Sequence, residues 1–256
     1  MKTFVLAMCV LFCSYSLADE PLTVRLESAS VMVTTDRGSG SGVIFNRDGE
    51  TFVWTAAHVI DSLRSERKIT VDGTSKTVVE FADPYVVQVL KQDGREVGEL
   101  KLAAKVLKYS DADHGEDLSL LHVRKKGHFH DGVAFYLDAE IPAIGSDLYH
   151  VGSLLGSIGS NSLTTGIISQ HGRLIGDKVF DQTTATAFPG SSGGGVFLRN
   201  DGRYVGMLVR GAGEGFNLIV PVRRIREYCD KQAIEWAIDP KEKMPAMDEV
   251  WKLPIE

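Results

Sequence analysis

The body of this chain is a succession of short apolar runs separated by Gly- and Asp-rich turns, and that pattern restricts the fold more than any other feature. Strand candidates are Val31–Thr35, Gly42–Phe45, Thr51–Thr55, Val86–Lys91, Lys105–Lys108, Leu118–Val123 and Asp147–Val151. Leu163–Ser169, Phe180–Thr184, Gly195–Leu198, Tyr204–Val209 and Phe216–Val220 follow. Asn46-Arg47-Asp48-Gly49 reads as the turn of a hairpin. The 26 glycines suit such a chain, because glycine supplies the positive φ that tight turns need. Many short strands with close turns predict an all-β barrel or sandwich. Ala57–Leu63 predicts a turn or so of helix. Arg223–Ile238 predicts a longer helix, with Ile225, Cys229, Ala233 and Trp236 on one face. After Asp239-Pro240 the tail reads as an extended strap. The stretch Ile69–Leu100, with its Asp and Gly turns, reads as a surface loop over the cleft.

The first residues read as a secretory signal. Lys2 precedes an apolar run from Thr3 to Phe12, and Ser16-Leu17-Ala18 offers small residues where a signal peptidase cuts, which places cleavage after Ala18. The run is too short for a membrane span, so the mature chain is expected to be exported without stable membrane insertion, to a periplasmic or extracellular location. Cleavage removes Cys9 and Cys13 and leaves Cys229 alone, expected as a buried helix residue, so no disulfide is expected. The net charge is −6, and no basic patch points to nucleic acid.

Three segments carry chemistry. Thr55-Ala56-Ala57-His58 sets a histidine after a strand. Glu116-Asp117-Leu118-Ser119-Leu120-Leu121 leads an acid into an apolar strand. Gly190-Ser191-Ser192-Gly193-Gly194 gives a serine with glycines on both sides, so that backbone amides can point inward. A serine hydroxyl needs a base to attack at neutral pH. His58 suits that role and that of the later acid. Asp117 would hold the imidazole in its tautomer. The N–H groups of Gly190 and Ser192 would form the oxyanion hole. Ser191 is the poorer nucleophile, because only Ser192 has glycine at the right spacing on both sides. An esterase-like hydrolase of another fold is excluded by the order His, Asp, Ser and by the strand after the serine.

Other clusters read as ordinary surface. Asp111, Asp113, His114, Glu116 and Asp117 read as a solvated acidic loop. His128-Phe129-His130 reads as a surface loop without further metal ligands nearby. Arg223, Arg224 and Arg226 read as a solvated helix face. No cofactor is expected.

These segments resemble the chymotrypsin-like (trypsin-like) serine peptidases, and within them the disulfide-free HtrA/Deg-type branch. Ser39-Gly40-Ser41-Gly42-Val43-Ile44 is similar to the glycine–serine–glycine strand opening of that branch. Thr55-Ala56-Ala57-His58-Val59, Asp117-Leu118-Ser119-Leu120-Leu121 and Pro189-Gly190-Ser191-Ser192-Gly193-Gly194 match its three catalytic segments. Gly215-Phe216-Asn217-Leu218-Ile219-Val220-Pro221 resembles the closing strand before the C-terminal helix. The resemblance implies two six-stranded antiparallel β-barrels with a C-terminal α-helix. With the signal peptide at 1–18, the peptidase domain is expected at 19–238. Within that domain the N-terminal barrel spans about 22–132, the C-terminal barrel about 133–222 and the helix 223–238, with an extended tail at 239–256. The resemblance also implies peptide-bond hydrolysis through an acyl-enzyme on protein or peptide substrates. Thr186 and Ala187 would fall in the specificity-pocket wall, and Val209, Arg210 and Gly211 would line the substrate as an edge strand. No acid falls at the pocket base, so small or medium apolar side chains are expected there rather than Lys or Arg. With only about 28 residues after Tyr228, no PDZ domain is expected. The alternative is an inactive or latent relative that binds peptides with the same cleft.

Overall fold

A computed structural model describes residues 20–211 and 215–256; the expected signal sequence, with Cys9 and Cys13, lies outside the described residues. A short helix, α1 (Leu22–Ser28), follows Pro21 and leads into β1 (Ser30–Thr34), β2 (Ser39–Arg47) and β3 (Glu50–Thr55). Then come α2 (Ala57–Ile60), β4 (Arg64–Val71), β5 (Thr74–Phe81), β6 (Tyr85–Gln92), β7 (Arg95–Ser110) and β8 (Leu118–Val123). The second half holds β9 (Asp147–Leu154), β10 (Gly159–Ile175), β11 (Lys178–Thr183), β12 (Gly195–Leu198), β13 (Tyr204–Gly211) and β14 (Asn217–Pro221). It ends with α3 (Val222–Gln232) and α4 (Met247–Val250).

The strands close into two antiparallel barrels. One runs in the order β1-β2-β3-β8-β7-β6, and the other β10-β11-β14-β13-β12-β9. Closure pairs the strands around each ring, leaves only short stretches of edge, and buries an inner face in each barrel. Val31, Val33, Ile44, Val53, Val86 and Leu121 fill the first barrel. Leu148, Ile168, Val196, Leu208 and Ile219 fill the second. A third, aromatic core joins them. The Phe45 and Phe52 rings stack with centroids 5.2 Å apart, and Phe52 meets Trp236 edge-on at 5.1 Å. Trp54 is fully buried, and its Nε1–H donates to the Ala237 carbonyl at 3.2 Å. The segment after α3 thus braces the barrel interface, which is where the cleft opens.

Several local expectations are corrected. The stretch Ile69–Leu100 is no loop. β4 and β5 form a separate two-stranded sheet, and β6 and β7 form a ribbon of the first barrel. Their turns, Asp72-Gly73 and Asp93-Gly94, have positive φ at both residues, as does Asp48-Gly49 between β2 and β3. Two positive φ values are the mark of type I′ hairpins, whose twist matches that of the strands. The β4–β5 ribbon was hidden because both its faces are largely exposed, so it shows little apolar alternation.

The expected helix Arg223–Ile238 stops at Gln232. Ala233 adopts a left-handed φ of 53°, and the Ile234 amide folds back to the Cys229 carbonyl at 3.0 Å. This turn leaves Ala233 exposed and drives Ile234 and Trp236 into the core through a 3₁₀ turn, Glu235–Ala237. Cys229 is buried on α3. The tail is not wholly extended, since α4 interrupts it and buries Val250. The Arg223–Arg226 face is not solvated as expected either. Arg223 pairs with Asp181, and Arg224 is buried against Glu116; only Arg226 is exposed.

Candidate active site

His58 sits on α2, the single turn that follows β3. Its Nδ1 lies 3.0 Å from both carboxylate oxygens of Asp117, and its backbone N–H donates to the same carboxylate at 3.1 Å. Nδ1 therefore carries the proton and donates, which leaves Nε2 as the acceptor. Asp117 is buried, whereas the His58 side chain is about a third exposed toward the cleft.

Asp117 has a left-handed φ of 56°, a conformation that Asp and Asn adopt more readily than other non-glycine residues. The preceding loop fixes it. The amides of Gly115 and Asp117 donate to the Asp111 carbonyl, and the Glu116 amide donates to Ser110 Oγ at 2.7 Å. From α3, Arg224 donates to the Glu116 carbonyl through Nη2 at 2.8 Å and to its carboxylate through Nε at 2.5 Å. The acidic loop is thus internally bonded. Among the described residues no group of three or more His, Cys, Asp or Glu is arranged to hold a metal ion.

Ser192 lies in the turn between β11 and β12. Its Oγ faces the Val209 carbonyl at the long distance of 3.5 Å. Among the described residues no hydrogen bond joins it to His58, although both line one open cavity of about 350 Å³ with Gly190 and Arg37. Such bonds are often long in unliganded enzymes and tighten when substrate binds. Ser191 is fully buried, and its hydroxyl accepts from the Phe188 amide.

The backbone of this loop is held plane by plane. The Pro189 carbonyl accepts from the Leu155 amide at 2.8 Å, and the Ser191 carbonyl accepts from the Gly194 amide at 2.9 Å. In a trans peptide the N–H points opposite to the carbonyl, so these bonds turn the Gly190 and Ser192 amides to the other side. Neither amide has a partner among the described residues. Gly190 needs its φ of 97°, and a Cβ there would lie 2.2 Å from the Ser153 carbonyl oxygen. Gly193 has a φ of 88°, and its Cβ would lie 2.0 Å from the Ser41 carbonyl oxygen.

Thr186, Ala187, Val209, Arg210 and Gly211 line one cavity of about 440 Å³ that adjoins Ser192, with Phe188 and Leu208 completing the wall. The Thr186 carbonyl is held by Thr164 Oγ1 at 3.0 Å, and the Ala185 carbonyl by Asn217 Nδ2 at 2.7 Å. Among the described residues no carboxylate lines this cavity. β13 pairs with β12 only through Tyr204–Met207, so Val209–Gly211 bonds to β14 on one side and presents a free edge on the other. The Arg210 side chain is exposed, with its guanidinium over the Phe180 ring at 5.6 Å.

Sequence reasoning missed three contributors. Leu155 and Ser41 bond the nucleophile loop, and the Ser153 amide donates to the Ser41 hydroxyl. Ser41 belongs to the Ser39–Ile44 strand opening, the one sequence signal that points to it. His150 was also missed. It is fully buried beneath the loop, its Nδ1 3.1 Å from the Gly195 carbonyl oxygen, and burial pushes its pKa down to about 4.

The trypsin-like peptidase domain matches residues 40–207. No curated protein matches the chain. Among solved structures, the chain is similar to Rv3671c from M. tuberculosis H37Rv. A serine-to-alanine mutant in an inactive form superposes with a TM-score of 0.58 at 19% identity, covering 85% of this chain and 92% of that one. The Rv3671c protease in an inactive form gives 0.58 at 20%, covering 82% and 92%. At these identities the likeness speaks for the double-barrel fold. The domain match covers the segments of all three proposed catalytic residues, and the chain belongs to the trypsin-like peptidase domain family, a family of serine peptidases.

Proposed function

We propose that this protein is an exported serine endopeptidase of the HtrA/Deg-type branch, with His58, Asp117 and Ser192 as its catalytic triad. The carrying observation is the Asp117–His58 pair at 3.0 Å, facing the same cleft as Ser192, whose own amide and that of Gly190 have no partner among the described residues. His58 Nε2 takes the Ser192 hydroxyl proton as Oγ attacks the scissile carbonyl carbon. Asp117 steadies the imidazolium that forms. The Gly190 and Ser192 amides receive the developing oxyanion. His58 then gives its proton to the leaving amine, and water resolves the acyl-enzyme by the same steps in reverse order.

The free edge at Val209–Gly211 suits a substrate strand, with side-chain choice left to pockets. A cavity walled by Thr186, Ala187, Phe188 and Leu208, with no carboxylate among its described lining residues, favours small or medium apolar residues before the scissile bond over Lys or Arg. Arg210 at the rim favours acidic or polar neighbours. Lys2, the apolar run to Phe12 and Ser16-Leu17-Ala18 support export with cleavage after Ala18. No helix among the described residues is long and apolar enough to cross a membrane.

The test is digestion of an unfolded protein by the chain lacking residues 1–18, beside His58→Ala and Ser192→Ala, with the cut sites mapped. Cleavage by the unmutated chain alone, after apolar residues, is expected. Cuts dominated by Lys or Arg would refute the specificity reading. Binding without cleavage would favour the alternative of a latent or inactive peptide-binding relative, a reading in line with a Ser192 hydroxyl that faces Val209 rather than His58.

A further inference from the structure

Ser41, on β2 of the first barrel, is fully buried, and each of its polar groups is spent on the nucleophile loop or on its support. Its N–H donates to the Ser192 carbonyl at 2.7 Å. Its carbonyl accepts from Thr55 Oγ1 at 2.7 Å. Its hydroxyl donates to the Gly190 carbonyl at 2.7 Å and accepts from the Ser153 amide, on β9 of the second barrel, at 2.8 Å. One side-chain oxygen therefore ties both barrels to the loop.

The two carbonyls that Ser41 holds belong to Gly190 and Ser192, the residues whose amides stand free in the cleft. The Gly190 carbonyl fixes the peptide plane between residues 190 and 191. The Ser192 carbonyl fixes the plane between 192 and 193. Leu155 and Gly194 hold the intervening planes through Pro189 and Ser191. Every peptide plane from 189 to 193 is thus pinned, and among the described residues Ser41 Oγ supplies the only side-chain bond to a carbonyl in them. The fixed dipoles need no reorganisation when charge develops, which is the condition under which such donors act most strongly.

We propose that Ser41 is a positioning residue for the oxyanion hole: its hydroxyl holds the Gly190 carbonyl so that the Gly190 and Ser192 amides are aimed before substrate arrives. It touches no substrate. The proposal rests on the reading above that those two amides receive the oxyanion. Without the hydroxyl, the Gly190 carbonyl and the Ser153 amide lose their buried partner, and among the described residues the 190–191 plane keeps only the bond from the Ser191 amide to the Phe188 carbonyl at 2.9 Å.

The test compares wild type, Ser41→Ala and Ser41→Cys by kcat and KM on one peptide substrate. It also compares inhibition by a peptide aldehyde, which forms a tetrahedral oxyanion on Ser192, with inhibition by the matching peptide alcohol, which does not. Melting temperature is recorded alongside. Ser41→Ala is expected to lower kcat and aldehyde affinity together, by about ten- to a hundredfold, somewhat less than loss of a direct donor. KM and alcohol affinity should stay within about twofold of wild type. Ser41→Cys, which keeps a weak donor, should fall between, and it carries the comparison if Ser41→Ala does not fold. A lower melting temperature with kcat and aldehyde affinity unchanged would overturn the proposal, as would a rise in KM alone. A wild type that binds aldehyde no better than alcohol would overturn the reading of the site itself, and the Ser41 role with it.

Discussion

The Leu155 amide donates to the Pro189 carbonyl at 2.8 Å, and through that bond a loop of the second barrel sets the direction of the Gly190 N–H. Leu155 makes the bond from a left-handed φ of 60°, with its side chain exposed. A branched residue held there is strained, by roughly 1–2 kcal/mol. The fold therefore maintains an unfavourable backbone at Leu155 and a glycine-only backbone at Gly190 to keep one amide turned into the cleft.

Gly190→Ala separates these two strains. Its Cβ would meet the Ser153 carbonyl oxygen at 2.2 Å and the Gly156 nitrogen at 2.8 Å, both backbone atoms that cannot step aside cheaply. The loop must rotate, and kcat should fall by about a hundredfold or more. Leu155→Gly keeps the N–H and relieves the strain, so its turnover should stay near wild type. Steady-state kinetics on one peptide substrate decide both.

Arg224 reaches from α3 to the loop that sets Asp117. Its side chain is 7% exposed and that of Glu116 29%. Arg224→Met leaves Glu116 without its cation and two carbonyls without their donors. Removing one partner of such a pair should destabilise the protein by about 3 kcal/mol. Urea unfolding checks this, and a loss below about 0.5 kcal/mol would mean that the pair is only superficial.

His150 makes stability depend on pH in a defined window. Burial lowers its pKa from the ordinary 6.5 to about 4, with the Gly195 carbonyl opposing only in part. The unfolded chain thus binds more protons than the folded one between those values. The contribution of His150 is complete above pH 6.5, is lost as pH falls toward 4, and is flat below. From pH 7 to pH 5 it should remove about 2 kcal/mol. His150→Gln cannot titrate, so its unfolding free energy should fall by that much less than wild type over the same interval. Equal slopes would contradict the assignment.

Cys229 offers a reporter of folding. It is fully buried on α3, and burial pushes its thiol well above the usual range. Native protein should resist alkylation by iodoacetamide at pH 8, and labelling should rise in step with unfolding in urea. Rapid labelling of the native protein would show that α3 detaches.

Much of the architecture is legible in the residues because barrel strands have a buried face. Leu118–Val123 and Gly195–Leu198 are bounded as their apolar runs suggest. The β4–β5 ribbon, exposed on both faces, gives no such signal, although its Asp72-Gly73 turn does. The break at Ala233 was unreadable because alanine favours helix, and the core that draws in Ile234 and Trp236 is assembled from distant strands. Arg224 looked like a surface charge because its partner, Glu116, lies far away in the chain. At the site, residue types pointed to His58, Asp117 and Ser192. The orientation of the Gly190 N–H is a backbone choice set by the Leu155 amide, which no pattern in the nucleophile segment encodes.

The central claim is an activated Ser192 beside a formed oxyanion hole. The most direct measurement is labelling of the folded protein, without residues 1–18, by a fluorophosphonate probe, with the modified residue mapped by mass spectrometry and with Ser191→Ala and Ser192→Ala as controls. The account predicts a single adduct on Ser192, kept in Ser191→Ala and absent from Ser192→Ala. No adduct on a folded wild type, or one that persists in Ser192→Ala, would contradict it.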